Sequence, residues 1–273
     1  MQKERIGWIG LGNIGLPMAK QLVKHGYEVT ICGHTRRQPV EEMKSMGASE
    51  VKTPKEVAEA ADVVFSMVRD VPQTSEVLFG EQGLWEGLRA GHILVLSSTL
   101  LPDFCGQVEQ EGKKSGVIVL DAPVSGGPWG AEAGTLTFFV GGEEEAYHKC
   151  RPIMDVMGGN VFYLGKSGTG QAAKLANNLM LWAHTLAAGE AIDLAKKAGL
   201  GPDRLLDTVK VSTGNSWVAQ NWKSYMELMA PRETGVMDLL YKDIDTALEY
   251  ASTQNLQLPF TALIAHMELP PFP

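Results

Sequence analysis

A lysine and an asparagine stand four residues apart in the stretch "GTGQAAKLANN", residues 168–178. If the stretch is helical, Lys174 and Asn178 share one face, because positions i and i+4 are neighbours on a helix, and Gln171 continues that polar stripe. The residues on either side of Lys174 are small or apolar. A lysine in such a place can also extend its stem along a packed helix so that the ammonium reaches water. The spacing therefore predicts an ammonium and an amide side by side in partly apolar surroundings.

The stretch "GLGNIG" carries three glycines in the pattern GxGxxG, after a predicted strand and at the start of a predicted helix. In that context the glycines allow a tight turn and a close approach of the backbone to a pyrophosphate, at which the helix N-terminus is aimed. The alternative is a glycine-rich turn without a ligand. The position favours a dinucleotide-binding loop made of Gly10, Leu11, Gly12, Asn13, Ile14 and Gly15.

The end of the next predicted strand bears on which dinucleotide binds. An NAD site carries an acid there, about 20 residues after the glycines, to bond the ribose hydroxyls. Here the strand ends in "TICGHTRR", and Glu28 lies too early. A 2′-phosphate instead calls for guanidinium and hydroxyl groups. His34, Thr35, Arg36 and Arg37 therefore favour NADP over NAD, with either arginine as the phosphate ligand; an ordinary solvated basic loop is the alternative.

A second glycine-rich stretch, "DAPVSGGPWGAEAGTL", begins at the carboxyl end of a predicted strand. Ser125, Gly126 and Gly127 would expose backbone N–H groups and a hydroxyl at the edge where parallel sheets bind ligands. Taken by itself the stretch could equally be a plain loop.

The elements that must position these residues change in type along the chain. Through residue 165, apolar runs alternate with amphipathic helical stretches, and the runs are "RIGWIG", "YEVTIC", "DVVFSMV", "HILVLSST", "VIVLDAPV", "LTFFVGG" and "NVFYLG". Continuous apolar runs indicate strands buried on both faces, and strand–helix alternation predicts a doubly wound, mainly parallel α/β sheet of the Rossmann type.

After residue 165 the pattern is helical. One helix of roughly 30 residues is predicted from about Gly168 to Gly199, since the stretch lacks proline and is rich in alanine and leucine. The rest, with "PDRLLDTVKV", "SWVAQNWKSYMELM" and "MDLLYKDIDTALEYASTQ", is also helical in pattern. We therefore expect a cofactor-binding domain at 1–165 and an all-helical domain for substrate and oligomerisation at 166–273, joined by the long helix.

Composition excludes several classes of protein. The 273 residues carry a formal net charge of -8, which argues against a broad surface for nucleic acid or acidic lipid. The three cysteines are scattered without metal-type spacing, so no metal site is expected. The N-terminus lacks the apolar core of a signal peptide, and no run of about 18 apolar residues occurs. A cytoplasmic location is the expectation.

Taken together, these stretches resemble the β-hydroxyacid dehydrogenase family over nearly the whole chain. "GWIGLGNIGLPMAKQL" is similar to its cofactor motif, "DAPVSGGPWGAEAGTL" to its substrate-binding motif, "GTGQAAKLANN" to its catalytic motif and "YKDIDTAL" to its C-terminal lysine-aspartate motif. The resemblance implies hydride transfer between NADPH and a small aldehyde acid or 3-hydroxyacid, as in a semialdehyde reductase or a 3-hydroxyisobutyrate-type dehydrogenase.

The resemblance also implies roles for single residues. Lys174 is the expected catalytic lysine, and Asn178 and Ser125 share the catalytic site with it. A lysine partly removed from water has a lowered pKa and can donate a proton near neutral pH. The substrate is expected to contact Ser125, Gly126, Gly127, Lys174, Asn178 and Trp217. The cofactor is further expected to contact Val68, Arg69, Thr99 and Lys242.

The chain departs from the family pattern in several places. Val68 and Arg69 replace the usual Leu-Pro pair, and the chain stops at "ELPPFP" where family members continue past Leu258–Pro259, so the helical domain is expected to be shortened. An imine reductase shares the architecture but typically replaces the lysine. A non-catalytic NADP-binding protein for regulation or interaction is the alternative of another class. Because a long alanine-rich helix leaves apolar faces uncovered, a homodimer or larger homo-oligomer is expected.

Overall fold

The computed structural model describes residues 3–229 and 236–267. The chain divides into two compact units, with the division between Lys174 and Leu175. This point lies inside a helix, whereas the boundary drawn from the sequence at residue 165 lies at the end of the last strand. The "ELPPFP" end that the resemblance marks as shortened lies outside the described residues.

The first unit contains a sheet whose strands are β1 (Ile6–Ile9), β2 (Val29–Cys32), β3 (Ser49–Val51), β4 (Val63–Ser66), β5 (Ile93–Leu96), β6 (Ile118–Asp121), β7 (Val124–Ser125), β8 (Leu136–Gly142) and β9 (Gly158–Tyr163). The strand order is β3-β2-β1-β4-β5-β6-β8-β7, and β9 pairs with β8. Strands β1 to β6 are parallel to one another, β8 is antiparallel to β6 and β7, and β9 is parallel to β8. Strands β2 and β3 are added on one side of β1, and β4, β5 and β6 are added on its other side. The switch point of this doubly wound sheet therefore lies between β1 and β4.

Helices α1 to α8 follow the strands of this unit, at Gly15–Lys24, Gln38–Ser45, Pro54–Glu59, Val71–Phe79, Leu84–Gly87, Pro102–Ser115, Gly127–Ala133 and Glu144–Asp155. Several begin where proline sets a helical φ without losing a needed donor, as at Pro54 and Pro102. At α3 the Thr53 hydroxyl and the Glu56 carboxylate cap each other's backbone N–H groups. These local signals place helix starts just beyond the carboxyl ends of the strands.

The sheet is buried on both faces, which confirms the prediction from its continuous apolar runs. One cluster of buried side chains contains Trp8 and Phe65, whose rings stack 5.4 Å apart. The cluster on the other face contains Val64, Leu94 and Leu96. Because neighbouring residues of a strand point to opposite faces, Val64 and Phe65 belong to different clusters.

Helix α9 (Thr169–Lys197) matches the long helix that the sequence predicts. It starts in the first unit and ends in the second. The second unit is helical in its described part, with α10 to α14 at Pro202–Val209, Trp217–Gln220, Trp222–Met229, Val236–Thr253 and Pro259–Ala265. Trp182 of α9 lies in its buried cluster, and the Thr185 hydroxyl bonds the Tyr225 hydroxyl at 3.2 Å.

Two strand predictions were incomplete. Strand β3 was not predicted, because "SEV" contains a single apolar residue. The run "VIVLDAPV" was predicted as one strand but forms β6 and β7, with Pro123 between them. Proline has no N–H for a ladder, so the strand is interrupted there, and β7 pairs with a different part of β8 than β6 does.

Across residues 3–229 and 236–267, no helix is both long and apolar enough to cross a membrane.

Candidate active site

The glycine loop after β1 has little room for side chains on one side and is open on the other. Gly10 has φ +99°, in the left-handed region that favours glycine, and an added Cβ would collide with the Met67 carbonyl oxygen. At Gly15 an added Cβ would collide with the Gly10 carbonyl oxygen. At Gly12, nothing lies within 4 Å of the place that a Cβ would occupy. A tight turn with open backbone before the N-terminus of α1 fits a dinucleotide pyrophosphate.

The two candidate arginines after β2 have different surroundings. Arg36 is exposed, and its Nη2 lies 3.4 Å from the Leu11 carbonyl oxygen of the glycine loop. Arg37 binds the carboxylates of Glu50 and Glu41. The hydrogen bonds from Arg37 and Lys44 lower the pKa of Glu50 to about 2. His34 and Thr35 are exposed beside the arginines. Of the two guanidinium groups, Arg36 is therefore the one held against the cofactor loop.

Removing Arg37 should make the folding stability less sensitive to acid. The folded-state pKa of Glu50 is lowered from 4.5, so its contribution is present above the unfolded pKa and is lost as pH falls from 4.5 towards 2. Arg37→Ala should therefore be less stable than wild type at pH 6, with a deficit that shrinks through that window. Urea unfolding in steps from pH 6 to pH 3 measures it.

Arg36→Ala is the matched control for this prediction, because it removes the same charge without breaking the ion pairs to Glu50 and Glu41. Its stability difference from wild type should stay constant over the same pH range. An Arg37→Ala deficit that is equally large at every pH would contradict the assignment.

The loops after β4 and β5 are bonded to each other. The Ser98 hydroxyl donates to the Val68 carbonyl oxygen at 2.8 Å, which holds the two strand ends together. Arg69 extends an exposed side chain, and its backbone N–H donates to Gln73 Oε1 at 2.8 Å. Thr99 follows directly after Ser98. The unusual Val68-Arg69 pair is thus part of an ordered strand end that leads into α4.

The loop at Ser125, Gly126 and Gly127 joins β7 to α7. Gly126 has φ +132° and Gly127 has φ +63°, so two successive residues adopt backbone conformations that side chains rarely allow. Ser125 is half-buried and Gly126 is exposed. The two glycines have no side chains, so their backbone groups lie beside the Ser125 hydroxyl without side chains of their own.

A buried carboxylate at the end of β6 anchors the start of α9. Asp121 has no exposed surface, and its two oxygens accept the backbone N–H groups of Gly168 at 2.7 Å and Gln171 at 2.8 Å. Burial raises the pKa of Asp121, and these N–H donors oppose that rise. We did not single out Asp121 from the sequence, although it is the one acid within the apolar run "VIVLDAPV".

The Gln171 side chain connects the first turn of α9 to the loop after β5. Its Oε1 accepts the Leu100 N–H at 2.9 Å, and its Nε2 donates to the Ser98 carbonyl oxygen at 2.8 Å. Gln171 is fully buried, so its amide bonds the protein interior. Lys174 follows one turn later and is half-buried.

The second unit places Asn178 against the C-terminal lysine-aspartate pair. The Asn178 side-chain amide donates to Asp243 Oδ2 at 2.6 Å, and Asp243 Oδ1 lies 3.0 Å from Lys242 Nζ. Asp243 is buried, and Lys242 is largely so. Asp243 therefore orients both a predicted substrate residue and a predicted cofactor residue. Only its position next to Lys242 marked it in the sequence.

Trp217 lies at the start of α11 and is 50% exposed, with its ring packed edge to face against Tyr225. Because half of its side chain is exposed, Trp217 is not a core residue, and its ring is accessible at the surface of the second unit.

Contacts within the first unit connect four of its predicted site residues, Gly10, Leu11, Arg36 and Val68, to the residues that anchor α9. The links run from Arg36 to Leu11, from Gly10 to the Met67–Val68 backbone, from Val68 to Ser98, and from Ser98 and Leu100 through Gln171 to Asp121. All lie at the carboxyl ends of β1, β2, β4, β5 and β6, the edge at which such sheets bind ligands. Asn178 and Lys242 form a separate pair in the second unit.

Two family models together match most of the chain. Residues 5–165 match the family described as the NAD binding domain of 6-phosphogluconate dehydrogenase. Residues 168–268 match the family described as NAD-binding of NADP-dependent 3-hydroxyisobutyrate dehydrogenase. The chain belongs to the β-hydroxyacid dehydrogenase family. The resemblance noted from the four sequence motifs is confirmed.

Individual β-hydroxyacid dehydrogenases show how far the similarity extends. The mitochondrial 3-hydroxyisobutyrate dehydrogenase of Mus musculus is 38% identical over 81% of this chain, and the match spans 65% of the mouse protein. The 2-(hydroxymethyl)glutarate dehydrogenase of Eubacterium barkeri is 34% identical over 95% of this chain and 86% of its own length. The solved 3-hydroxyisobutyrate dehydrogenase of Mycobacterium tuberculosis with L-serine has a TM-score of 0.86 at 29% identity, covering 97% and 92% of the two chains.

Imine reductases share the fold at a greater distance. The enzyme from Myxococcus stipitatus has a TM-score of 0.71 at 17% identity, covering 97% of this chain and 92% of its own. The architecture is common to both groups, whereas the sequence lies with the hydroxyacid dehydrogenases.

Proposed function

We propose that this protein is an NADPH-dependent reductase of a small aldehyde acid that acts in reverse as a 3-hydroxyacid dehydrogenase. The observation that carries the proposal is the half-buried Lys174, placed one turn after a helix start that is bonded to the ends of β5 and β6. The family's hydroxyacid dehydrogenases support the reaction class, and a lysine at this position counts against an imine reductase.

In the proposed reaction, the residues of this chain bind the substrate and move one proton. NADPH supplies the hydride when bound. Reduction of a carbonyl leaves negative charge on its oxygen, and Lys174 Nζ donates a proton to that oxygen. In the oxidative direction the neutral amine accepts the proton from the hydroxyl. Backbone N–H groups of Ser125–Gly127 receive the substrate carboxylate, because they are concentrated donors without competing side chains.

The resemblance also implies ligand contacts for three residues of the second unit. Asn178 bonds the substrate through its amide without adding charge, and Asp243 keeps that amide oriented. Trp217 forms an aromatic wall. Lys242, paired with Asp243, is the proposed cofactor contact of this unit.

The preference for NADP is proposed from Arg36. Its guanidinium lies against Leu11 of the glycine loop, and the strand end carries no acid for ribose hydroxyls. A guanidinium is suited to a phosphate, since it offers several donors in a planar fork. Thr99, in the loop after β5, then contacts the nicotinamide end, and Val68 and Arg69, in the loop after β4, contact the cofactor.

The direct test follows NADPH consumption with a panel of small semialdehydes and, in parallel, cyclic imines. We expect turnover with at least one aldehyde acid, none with the matching aldehyde that lacks a carboxylate, and none with imines. Tight NADPH binding without turnover of any aldehyde would favour the non-catalytic alternative. Turnover of imines alone would move the assignment to the imine reductases.

We also propose that the chain forms a homodimer or larger closed oligomer. Large apolar side chains are exposed in the described part of the second unit, including Leu194 at 75%, Phe260 at 56% and Leu263 at 59%. Covering such surface is favourable in proportion to its area. Sedimentation velocity over a micromolar concentration series should show a species at least twice the chain mass, and a single monomeric species throughout would contradict the proposal.

A further inference from the structure

The side chain of Gln171 holds both peptide groups that flank Thr99. Its carbonyl oxygen accepts the N–H of Leu100, and its NH₂ group donates to the carbonyl oxygen of Ser98. The two distances, 2.9 and 2.8 Å, are those of well-formed hydrogen bonds. We call this pair of bonds the Gln171 clamp.

The clamp is buried and rigidly supported. Gln171 has no exposed surface, and its own backbone N–H is bonded to Asp121 at the end of β6. The side chain also contacts the buried thiol of Cys105. One residue therefore ties the first turn of α9 to two strand ends, through its side chain at β5 and its main chain at β6. Loss of either bond would leave buried polar groups without a hydrogen-bond partner, which is costly.

We propose that Gln171 is a positioning residue, which sets the distance between the Thr99 loop and Lys174. This inference rests on the proposed function, in which Thr99 contacts the nicotinamide end and Lys174 donates the proton. Gln171 and Lys174 lie three residues apart on α9, so the helix carries the clamp and the lysine as one body. Hydride and proton must reach one carbonyl group, and displacement by about 1 Å can cost about 10²-fold in rate.

Two substitutions at Gln171 test the clamp by different chemistry. Gln171→Met keeps the length and approximate volume but removes both hydrogen bonds. Gln171→Glu keeps the shape, yet its ionised form places a carboxylate oxygen against the Ser98 carbonyl oxygen. When protonated, the glutamic acid can donate to Ser98 and accept from Leu100, which restores the clamp.

Thr185→Val is the matched control. Thr185 lies on the same helix, is fully buried and bonds the Leu181 carbonyl oxygen and the Tyr225 hydroxyl. The substitution keeps the shape while removing buried hydrogen bonds on the part of α9 that belongs to the second unit. It therefore reports what a comparable structural loss does to activity when Thr99 is untouched.

We expect Gln171→Met to lower kcat by about 10- to 100-fold while NADPH Kd changes less than about threefold. The isotope effect with NADPH deuterated at the transferred position should change, and amide hydrogen exchange at Leu100 should accelerate. Gln171→Glu should regain activity as pH falls, unlike Gln171→Met. Thr185→Val should keep kcat and the isotope effect of wild type.

Folded Gln171→Met with wild-type kcat, isotope effect and Leu100 exchange would overturn the inference. So would a Thr185→Val enzyme that loses kcat to the same extent at a similar melting temperature. A wild-type protein without turnover of any aldehyde acid would instead defeat the proposed function. In that case Leu100 exchange still judges the clamp, since that measurement does not need catalysis.

Discussion

Lys174→Ala should lower kcat for carbonyl reduction by about 10²-fold or more, the usual scale for a positioned general acid. The NADPH dissociation constant should barely change, because the expected cofactor contacts lie chiefly in the loops after β1, β2, β4 and β5. Stopped-flow NADPH oxidation gives kcat, and NADPH fluorescence gives the dissociation constant. A large loss in kcat with unchanged cofactor binding would show that Lys174 acts in the chemical step and not in cofactor binding.

The pH profile separates a proton donor from a structural lysine. Wild-type reduction should lose rate at alkaline pH as the donor loses its proton, and Lys174→Ala should lack that limb. Lys174→Arg is the matched control, because it keeps the positive charge but cannot release a proton near neutral pH, so it should not restore the rate. Near-normal kcat and an unchanged profile in the alanine variant would show that Lys174 only supports the helix.

Arg36→Ala should reduce kcat/KM with NADPH by roughly 10- to 150-fold, which corresponds to about 1.5–3 kcal/mol for charge-assisted hydrogen bonds to a phosphate. Activity with NADH should change little, because that cofactor has no 2′-phosphate. Steady-state kinetics with both cofactors measures the ratio. A wild-type enzyme that uses NADH as well as NADPH, or better, would contradict the assignment.

Arg37→Ala is the matched control for Arg36, with the same loss of charge one residue along the chain. The Arg37 guanidinium is occupied by Glu50 and Glu41, so its removal should affect NADPH use far less. If Arg37→Ala has the larger effect, the phosphate displaces those carboxylates and the roles of the two arginines are exchanged.

The fold could be predicted from the sequence because its signals are local and repeated. Buried parallel strands require uninterrupted apolar runs such as "ILVL", and a long helix requires a stretch without proline, as in residues 169–197. The failures occurred where the signal was short. Strand β3 takes its pairing from β2, and β7 takes its pairing from β8. Neither strand has enough apolar residues to be predicted from the sequence.

Only those parts of the candidate site that form local sequence patterns could be predicted. The GxGxxG loop, the Ser-Gly-Gly loop and the Lys174–Asn178 pair are sequence patterns, and they could be read one at a time. Asp121, Gln171 and Asp243 act through partners that are 47 to 73 residues away in the chain. Hydrogen bonds between such distant residues leave no spacing rule in a single sequence.

The sequence by itself determined the class of fold, the dinucleotide loop and the lysine on the long helix, since each depends on neighbours within about two helical turns or one strand–loop–helix unit. Only the tertiary structure decided which arginine faces the glycine loop and that Gln171 turns inward to Ser98 and Leu100. The physical reason is that burial and long-range pairing choose among side chains of equal chemistry. Arg36 and Arg37 are identical as residues and differ only in what the fold brings beside them.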